Sequence, residues 1–305
     1  IEAVKRPGTA VSSNTSTIPL GKLVEGRSEQ FRQDFLITHF FNPPRYMRLI
    51  ELVSSPETHA SVTAMVGDFV DRKLGKRIVH AKDSPGFIAN RIGTYWISIA
   101  INAAMDQGLT IEEADQIAGP PMGVPKTGVF GLVDLVGIDL MPLLSKSLGA
   151  TLPQGDPYFA TIRPTPLIDR MIAEGFTGRK GKGGFYRLDK AADGTRTKLS
   201  IDLATGEYRA EQKPDPLPKA AMKDLAALVG APGKQGAYAW AILGPVLSYA
   251  ASLVGEVSDD IVAIDDAMKL GYNWKYGPFE LIDRLGGGTF AEKLRAEGKA
   301  VPAFL

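Results

Sequence analysis

His39 sits in the apolar run FLITHFFNPP, and Glu51 sits twelve positions later in a second such run, MRLIELV. Alternate side chains of a strand share a face, so His39 goes with Phe35, Ile37 and Phe41, and Glu51 with Met47, Leu49 and Val53. A buried, unpaired carboxylate costs several kcal/mol, so Glu51 needs a partner, and the neighbouring strand offers an imidazole. Paired in this way, the carboxylate would hold one ring nitrogen, leave the other facing outward and favour the charged ring. That is the arrangement of a general base with a fixed orientation. The plainer alternative is a satisfied core histidine, with Glu51 paired to an Arg or Lys, because structural ion pairs outnumber catalytic ones. His59, at the helix start SPETHA, and His80, in the strand IVHA, keep that plainer reading. His39 has different neighbours: SNTS ending at Ser16 lies before it, NPP from Asn42 after it, and SPGFIANR with Asn90 further on. Hydroxyls and amides gathered at strand ends are how open α/β sheets build sites.

The elements that must carry these groups follow from the same sequence. Residues 1–83 read as α/β. GTAVSSN is a short strand, IPLGKLVEG a short helix, and FLITHFF and MRLIELV are strands joined by the turn NPPR. A helix with Val62, Met65, Val66, Phe69 and Val70 on one face comes next, then the strand KRIVHAK. From Gly86 the pattern changes to long helices, with Ile88, Ile92, Tyr95, Trp96, Ile99 and Ala103 in one stripe. Thr110 to Glu113 (TIEE) form a capping box that opens the next helix. The basic, glycine-rich loop GFTGRKGKGGFY closes this block. The segment 188–216 then has hairpin chemistry, with turns at Asp193-Gly194 and Thr205-Gly206, and ends in a proline-rich linker. A second helical block fills 217–305. The run LGGGTF from Leu285 lacks the strand–turn–helix setting and glycine spacing of a dinucleotide loop and reads as a loop.

The two helical blocks resemble each other. GVFGLVDLVG from Gly128 and GPFELIDRLG from Gly277 share Gly, Phe, Leu, Asp and Gly at an offset of 149, and each follows a helix with an aspartate, Asp115 or Asp265. Two copies point to a duplicated domain and not a solenoid. The recurring Asp134 and Asp283 read as structural caps.

Composition narrows the chemistry. The chain has 305 residues and a net charge of +1, with 35 basic and 34 acidic side chains. No block of like charge calls for nucleic acid or an acidic membrane surface. With no cysteine, thiol catalysis, disulfides and Cys-ligated metal are excluded, and a reducing cytoplasmic setting is expected. The most apolar stretch, FIANRIGTYWISIAINAAM, contains Asn90, Arg91 and Asn102 and so reads as a buried helix, not a membrane span.

SSNTSTIPL, THFFNPPRYMRLIELV, LGKRIVHAKDSPGFIANRI and PKTGVFGLVDLVGID, in this order and spacing, resemble the 3-hydroxyacyl-CoA dehydrogenase family over residues 9–187. The tail resembles the second helical domain of its larger members. This resemblance implies an α/β remnant of a Rossmann-type domain (1–83), followed by two all-α domains related by duplication (84–187 and 217–305), with 188–216 as a hairpin-containing linker. It also implies oxidation of a 3-hydroxyacyl-CoA with hydride transfer to NAD in fatty acid β-oxidation. By residue, it implies His39 as the base for the 3-hydroxyl proton and Glu51 as its orienting partner. Ser16 and Asn90 would hold the substrate oxygen, and Ser16, Asn42 and Lys180 would lie near the cofactor. A base that must release its proton near neutral pH suits imidazole, and neutral Ser and Asn donors steady the developing oxygen charge without competing for that proton. On local evidence Ser16 also reads as a turn hydroxyl, Asn90 as a helix-start amide and Lys180 as part of a glycine-rich turn.

The chain departs from the family in having no GxGxxG after a strand. The expectation is a sequence without the family's N-terminal dinucleotide loop, binding NAD poorly alone and inactive or nearly so. Its implied partners are an acyl-CoA substrate, a second copy through the helical domains with Tyr95 and Trp96 as a candidate interface, and an enoyl-CoA hydratase module outside these residues. Two other readings are an acyl-CoA-binding or oligomerisation piece, and a dehydrogenase of free 3-hydroxy acids.

Overall fold

The two most apolar short runs become the central strands of a four-stranded sheet. In the computed structural model, which describes residues 1–190 and 194–305, the chain forms two compact units. The first comprises Ile1–Gly93, Ala250–Phe279 and Phe304; the second comprises Thr94–Tyr249, Glu280–Ala303 and Leu305.

In the first unit β1 (Val11–Ser13), α1 (Leu20–Leu23) and α2 (Glu29–Gln33) precede β2 (Phe35–Phe40) and β3 (Leu49–Val53). They are followed by α3 (Ala60–Leu74), β4 (Arg77–Ala81) and the start of α4 (Ala89–Asp106). The sheet order is β1-β2-β3-β4; β2 and β3 run antiparallel, and the outer pairs are parallel. β2 and β3 are buried along nearly their whole length, which explains why their sequences are continuous apolar runs and do not alternate.

One face of the sheet, with Leu36 and Leu52, packs against Val62 of α3, supported by Ala10, Val66 and Ile78. The apolar face of α3 is narrower than its sequence suggests: Val62 and Val70 are buried, but Met65 and Phe69 are 50% and 54% exposed. Val62, Val66 and Val70 form a single i, i+4 stripe over the sheet, and the adjacent Met65–Phe69 stripe turns away from it. The opposite face carries Ile37, His39, Glu51 and Val53. A helix from far along the chain, Ile261–Gly271, packs on β3 and β4. Its Gly271 lies so close that a Cβ would sit 2.8 Å from Leu49 Cδ2 and 3.3 Å from the Phe41 ring.

In the second unit the chain continues through α5 (Ile111–Ile117), α6 (Phe130–Val136), α7 (Leu140–Thr151) and α8 (Pro166–Ala173). It then forms an antiparallel three-stranded sheet of β5 (Tyr186–Lys190), β6 (Arg196–Ile201) and β7 (Tyr208–Ala210). The region after the first helical block is thus a meander of three strands. Of its two expected turns, the one at Asp193 lies outside the described residues, and Thr205-Gly206 joins β6 to β7 with Gly206 at φ +73°. The remaining helices are α9 (Leu225–Val229), α10 (Lys234–Ser252), α11 (Ile261–Gly271), α12 (Pro278–Leu285) and α13 (Gly287–Ala296). The LGGGTF run is therefore the start of a helix and not a loop, because the helix-forming FAEKLRA that follows overrides its glycines. Tyr95 and Trp96 are core side chains; Tyr95 packs on Tyr249 at 4.2 Å between ring centroids. The interface expected of them is thereby corrected, since the single chain already buries both.

The capping box of α5 is present, with Thr110 and Glu113 exchanging side-chain-to-amide bonds. Asp115 accepts from the Phe130 and Gly131 amides (2.8 and 3.1 Å), and Asp265, in the first unit, accepts from the Phe279 amide (2.8 Å). At Gly128 and Gly277 a Cβ would fall 2.4 and 2.3 Å from those aspartates, which explains the repeated glycine physically. Asp134 accepts from the Phe185 and Tyr186 amides and is a structural cap, whereas Asp283 is exposed.

Candidate active site

Antiparallel pairing places His39 directly opposite Glu51 on one face of the sheet. His39 Nδ1 lies 2.7 Å from Glu51 Oε2, with the imidazole 4% exposed and the carboxylate fully buried. The other carboxylate oxygen, Oε1, accepts from the backbone amides of Ile88 (3.0 Å) and Ala89 (2.7 Å) where α4 begins. These are two of the amide donors that every helix start leaves unpaired, and a carboxylate there also meets the positive end of the helix dipole. Glu51 is thus tolerated in the core because both its oxygens are filled. With Oε2 accepting from Nδ1–H, the neutral ring keeps its lone pair on Nε2, which has no hydrogen-bond partner among the described residues.

The imidazole is held by the rings of Phe41 and Phe87, at centroid distances of 4.5 and 5.6 Å. Phe87 adopts φ +50°, a left-handed conformation that non-glycine residues rarely take, in the turn that aims the Ile88 and Ala89 amides at Glu51. Strain of this kind persists where the surroundings fix it, as at functional sites. Arg91, buried in the first turns of α4, donates to the Pro85 carbonyl (3.1 Å) and pairs with Glu256 (2.9 Å). Lys82 pairs with Asp259 at 2.6 Å and donates to the Gly255 carbonyl at 2.8 Å. The loop around Gly255 therefore clamps the segment that delivers the helix amides.

The other expected site residues fall as follows. Ser16 is half-buried just beyond β1. Its neighbour Asn14 accepts from the Phe40 amide at 2.9 Å, which joins the end of β1 to the end of β2 beside His39. Asn90 is half-buried in the first turn of α4, adjacent to the Ala89 amide that Glu51 holds. Asn42 is exposed at the end of β2. Lys180 belongs to the second unit, where its ammonium pairs with Asp139 Oδ1 at 2.7 Å and lies over the bare Cα of Gly137. His59 and His80 are exposed. Sequence reasoning missed the role of the Ile88 and Ala89 amides, of Phe87 and of Asn14. Gly86 marks a turn in the sequence, but nothing in it marks which backbone amides that turn aims at Glu51.

Among the described residues no cluster of His, Asp and Glu could hold a metal, and no helix is long and apolar enough to cross a membrane. A dinucleotide fits in part. The Ser16 hydroxyl and Asn42 amide are neutral donors suited to a carboxamide or ribose. A diphosphate asks for a glycine-rich strand–turn–helix loop, and the sequence contains none.

Several buried carboxylates of the second unit hold structure. Burial pushes Asp115 up to about 7, against the bonds from Phe130, Gly131 and Tyr186. Burial likewise raises Asp134 to about 6. Glu112 is the opposite case: burial acts to raise it, but the Arg209 guanidinium, the Gln212 amide and the Ser200 hydroxyl outweigh that and hold it at about 2.

Comparison with known proteins matches residues 1–84 to the NAD binding domain of 3-hydroxyacyl-CoA dehydrogenase, and residues 86–188 and 236–302 to the C-terminal domain of the same family. A putative fatty acid oxidation complex trifunctional enzyme of Rickettsia felis is 43% identical over 272 residues, covering 89% of this chain and 37% of that protein. A probable 3-hydroxyacyl-CoA dehydrogenase of Bacillus subtilis is 36% identical over 312 residues, covering 100% and 39%. The chain thus spans about two fifths of the length of these curated relatives. Among solved structures, 3-hydroxybutyryl-CoA dehydrogenase of Escherichia coli K12 shares the fold, with a TM-score of 0.68 at 22% identity over 98% of this chain and 74% of that one. FadB2 of Mycobacterium tuberculosis aligns with a TM-score of 0.53 at 30% identity, covering 61% and 62%.

Proposed function

The chain belongs to the 3-hydroxyacyl-CoA dehydrogenase family, and from that premise we propose that it carries the catalytic base and substrate-oxygen site for oxidising (S)-3-hydroxyacyl-CoA to 3-oxoacyl-CoA in fatty acid β-oxidation. The observation that carries this reading is the 2.7 Å contact between His39 Nδ1 and Glu51 Oε2, with Nε2 left unpaired.

Oxidation at C3 requires the hydroxyl proton to leave as the carbonyl forms. His39 Nε2 takes that proton, and Glu51 fixes the ring and balances the positive charge it acquires. The Ser16 hydroxyl and the Asn90 amide donate to the C3 oxygen and steady its charge while the proton moves. Bound NAD supplies the hydride acceptor. Asn42 and Ser16 are the residues at the sheet end suited to the nicotinamide portion, and Lys180 is carried over as a cofactor contact by the family pattern. Replacing His39 with Gln in the longest natural chain containing these residues tests the reading: turnover of acetoacetyl-CoA with NADH collapses while folding is retained.

The finer organisation belongs to the same proposal. We read 1–83 as the C-terminal part of the NAD-binding domain, 84–187 and 217–305 as duplicated helical domains, and 188–216 as the link between them. The recurring aspartate–glycine device and the two stretches matching one C-terminal domain support the duplication. The relative named as a fatty acid oxidation complex trifunctional enzyme supports further fused modules, and an enoyl-CoA hydratase module is the one the family resemblance implies. Self-association through the helical domains is tested by the mass of the chain in solution.

A further inference from the structure

A cavity of about 1390 Å³ lies wholly within the second unit, walled by α5, α6, β5, β6 and the segment 211–222 after β7. The basic, glycine-rich loop GFTGRKGKGGFY runs along it, with Gly178, Arg179, Gly181, Lys182 and Gly183 all in the wall. The dehydrogenase reading makes no use of this space.

The charges in the wall do not balance. Each of its four carboxylates is already held. Asp115 accepts from the Phe130 and Gly131 amides and from the Tyr186 hydroxyl (3.0 Å), and Asp134 accepts from the Phe185 and Tyr186 amides. Glu112 pairs with Arg209 at 2.8 Å, and Glu211 with Lys198 at 2.5 Å. The cations are only partly held. Lys182 donates to the Glu174 carbonyl at 2.9 Å, which leaves its charge uncancelled. Lys126, Arg179 and Lys213 are exposed and have no ion-pair partner among the described residues. Arg187 spends one guanidinium nitrogen on Asp189 (2.7 Å), yet its buried Nε has no acceptor. An unfilled buried donor is costly, and a surplus of positive charge in the same concave wall draws an anion.

The uncharged part of the wall is rich in proline, with Pro120, Pro121, Pro214 and Pro216, joined by Leu217 and Met222. Pyrrolidine rings hold a fixed shape and offer hydrocarbon to a planar ring. Anion-binding charge and an apolar wall in one cavity suit a ligand that carries both a phosphate and a flat base.

We propose that this cavity is a second ligand site, built by the second unit alone, for a nucleoside diphosphate or a ligand with the same adenosine-phosphate chemistry. Its phosphates would meet Lys126, Arg179 and Lys213, and its base the proline-rich wall. A free nucleotide and the phosphorylated adenosine of coenzyme A both offer that chemistry. The inference is independent of the dehydrogenase reading, because its test reads binding and not turnover.

The test is calorimetric titration of the whole chain with ADP, adenosine 3′,5′-bisphosphate, adenosine and pyrophosphate. ADP is expected to bind at least about tenfold tighter than adenosine or pyrophosphate, and to weaken as salt rises. Arg179→Gln and Lys213→Gln alter exposed side chains and place little demand on folding. Each is expected to weaken ADP by about threefold or more, and the two together by about tenfold or more. Lys73→Gln, at an exposed lysine of α3 in the first unit, is expected to leave ADP affinity unchanged. Tighter binding of ADP than of the bisphosphate supports the site with a free nucleotide as its ligand, and the reverse order supports it with coenzyme A. No saturable binding of either phosphate-bearing nucleotide overturns the proposal, as does equal affinity for ADP and one of its parts. Affinity that survives the double substitution, or falls equally in the Lys73 variant, also overturns it.

Discussion

His39 and Glu51 face each other across the antiparallel β2–β3 pair, and Glu51 uses its second oxygen to hold the Ile88 and Ala89 amides that start α4. A single carboxylate therefore fixes both the ring proposed as the base and the helix that carries Asn90.

Substituting Glu51 by Gln should separate orientation from folding. The amide oxygen still accepts from the two helix amides, but the NH₂ group now donates to Nδ1 and moves the ring hydrogen to Nε2. Turnover is expected to fall by about 10²–10⁴-fold with the fold retained. Glu51→Ala leaves His39 and two buried amides without their partner and should cost about 3–5 kcal/mol in urea unfolding. Equal stability of the Gln and Ala variants would refute the double role.

The 305 residues alone should bind NADH weakly, because the donors present suit the nicotinamide portion and no diphosphate loop occurs in the sequence. Fluorescence titration of the chain checks this. Micromolar affinity with turnover of acetoacetyl-CoA would contradict it.

Gly128 and Gly277 are predicted to be intolerant of even one methyl group, since a Cβ at either would fall inside the carboxylate it approaches. Overpacking of this kind costs about 1–3 kcal/mol, and Gly128 adds the strain of φ +60°. Thermal unfolding of Gly128→Ala and Gly277→Ala measures both, with the larger loss expected at Gly128.

The buried carboxylates set a pH dependence of stability with a definite sign. Asp115 is raised from the usual 3.8 to about 7, so its contribution is fully present below pH 3.8 and is lost as pH rises through about 7. Asp115→Asn should therefore flatten the decline in melting temperature between about pH 4 and 7. Glu112 is held at about 2, below its usual 4.5, so it stabilises above pH 4.5 and that contribution is lost as pH falls through about 2. Glu112→Gln should remove dependence only on that acid side. Exchange of the two windows would show that the causes assigned here are wrong.

The parts of this fold legible in the sequence were those set by local pattern. The two-residue repeat of any strand placed His39 and Glu51 each on a definite face, and the apolar surroundings of both called for a shared partner. The capping box at Thr110 was readable for the same reason. What stayed hidden depends on pairings far apart in sequence. Arg91 meets Glu256 across 165 positions, and α11 covers β3 and β4 although it belongs to the second helical block. Periodicity also carries no information about how much of an apolar face finds a neighbour, which is why Met65 and Phe69 of α3 remain half-exposed. The amides that complete the environment of Glu51 are backbone groups, and no side-chain pattern announces them.

The most direct test of the account is the rate of acetoacetyl-CoA reduction by NADH in the longest natural chain containing these residues, with His39 intact or replaced by Gln. A fall of about 10²–10⁴-fold with unchanged melting temperature is the predicted result. A rate within about twofold of the unaltered protein would contradict the assignment of His39 as the base.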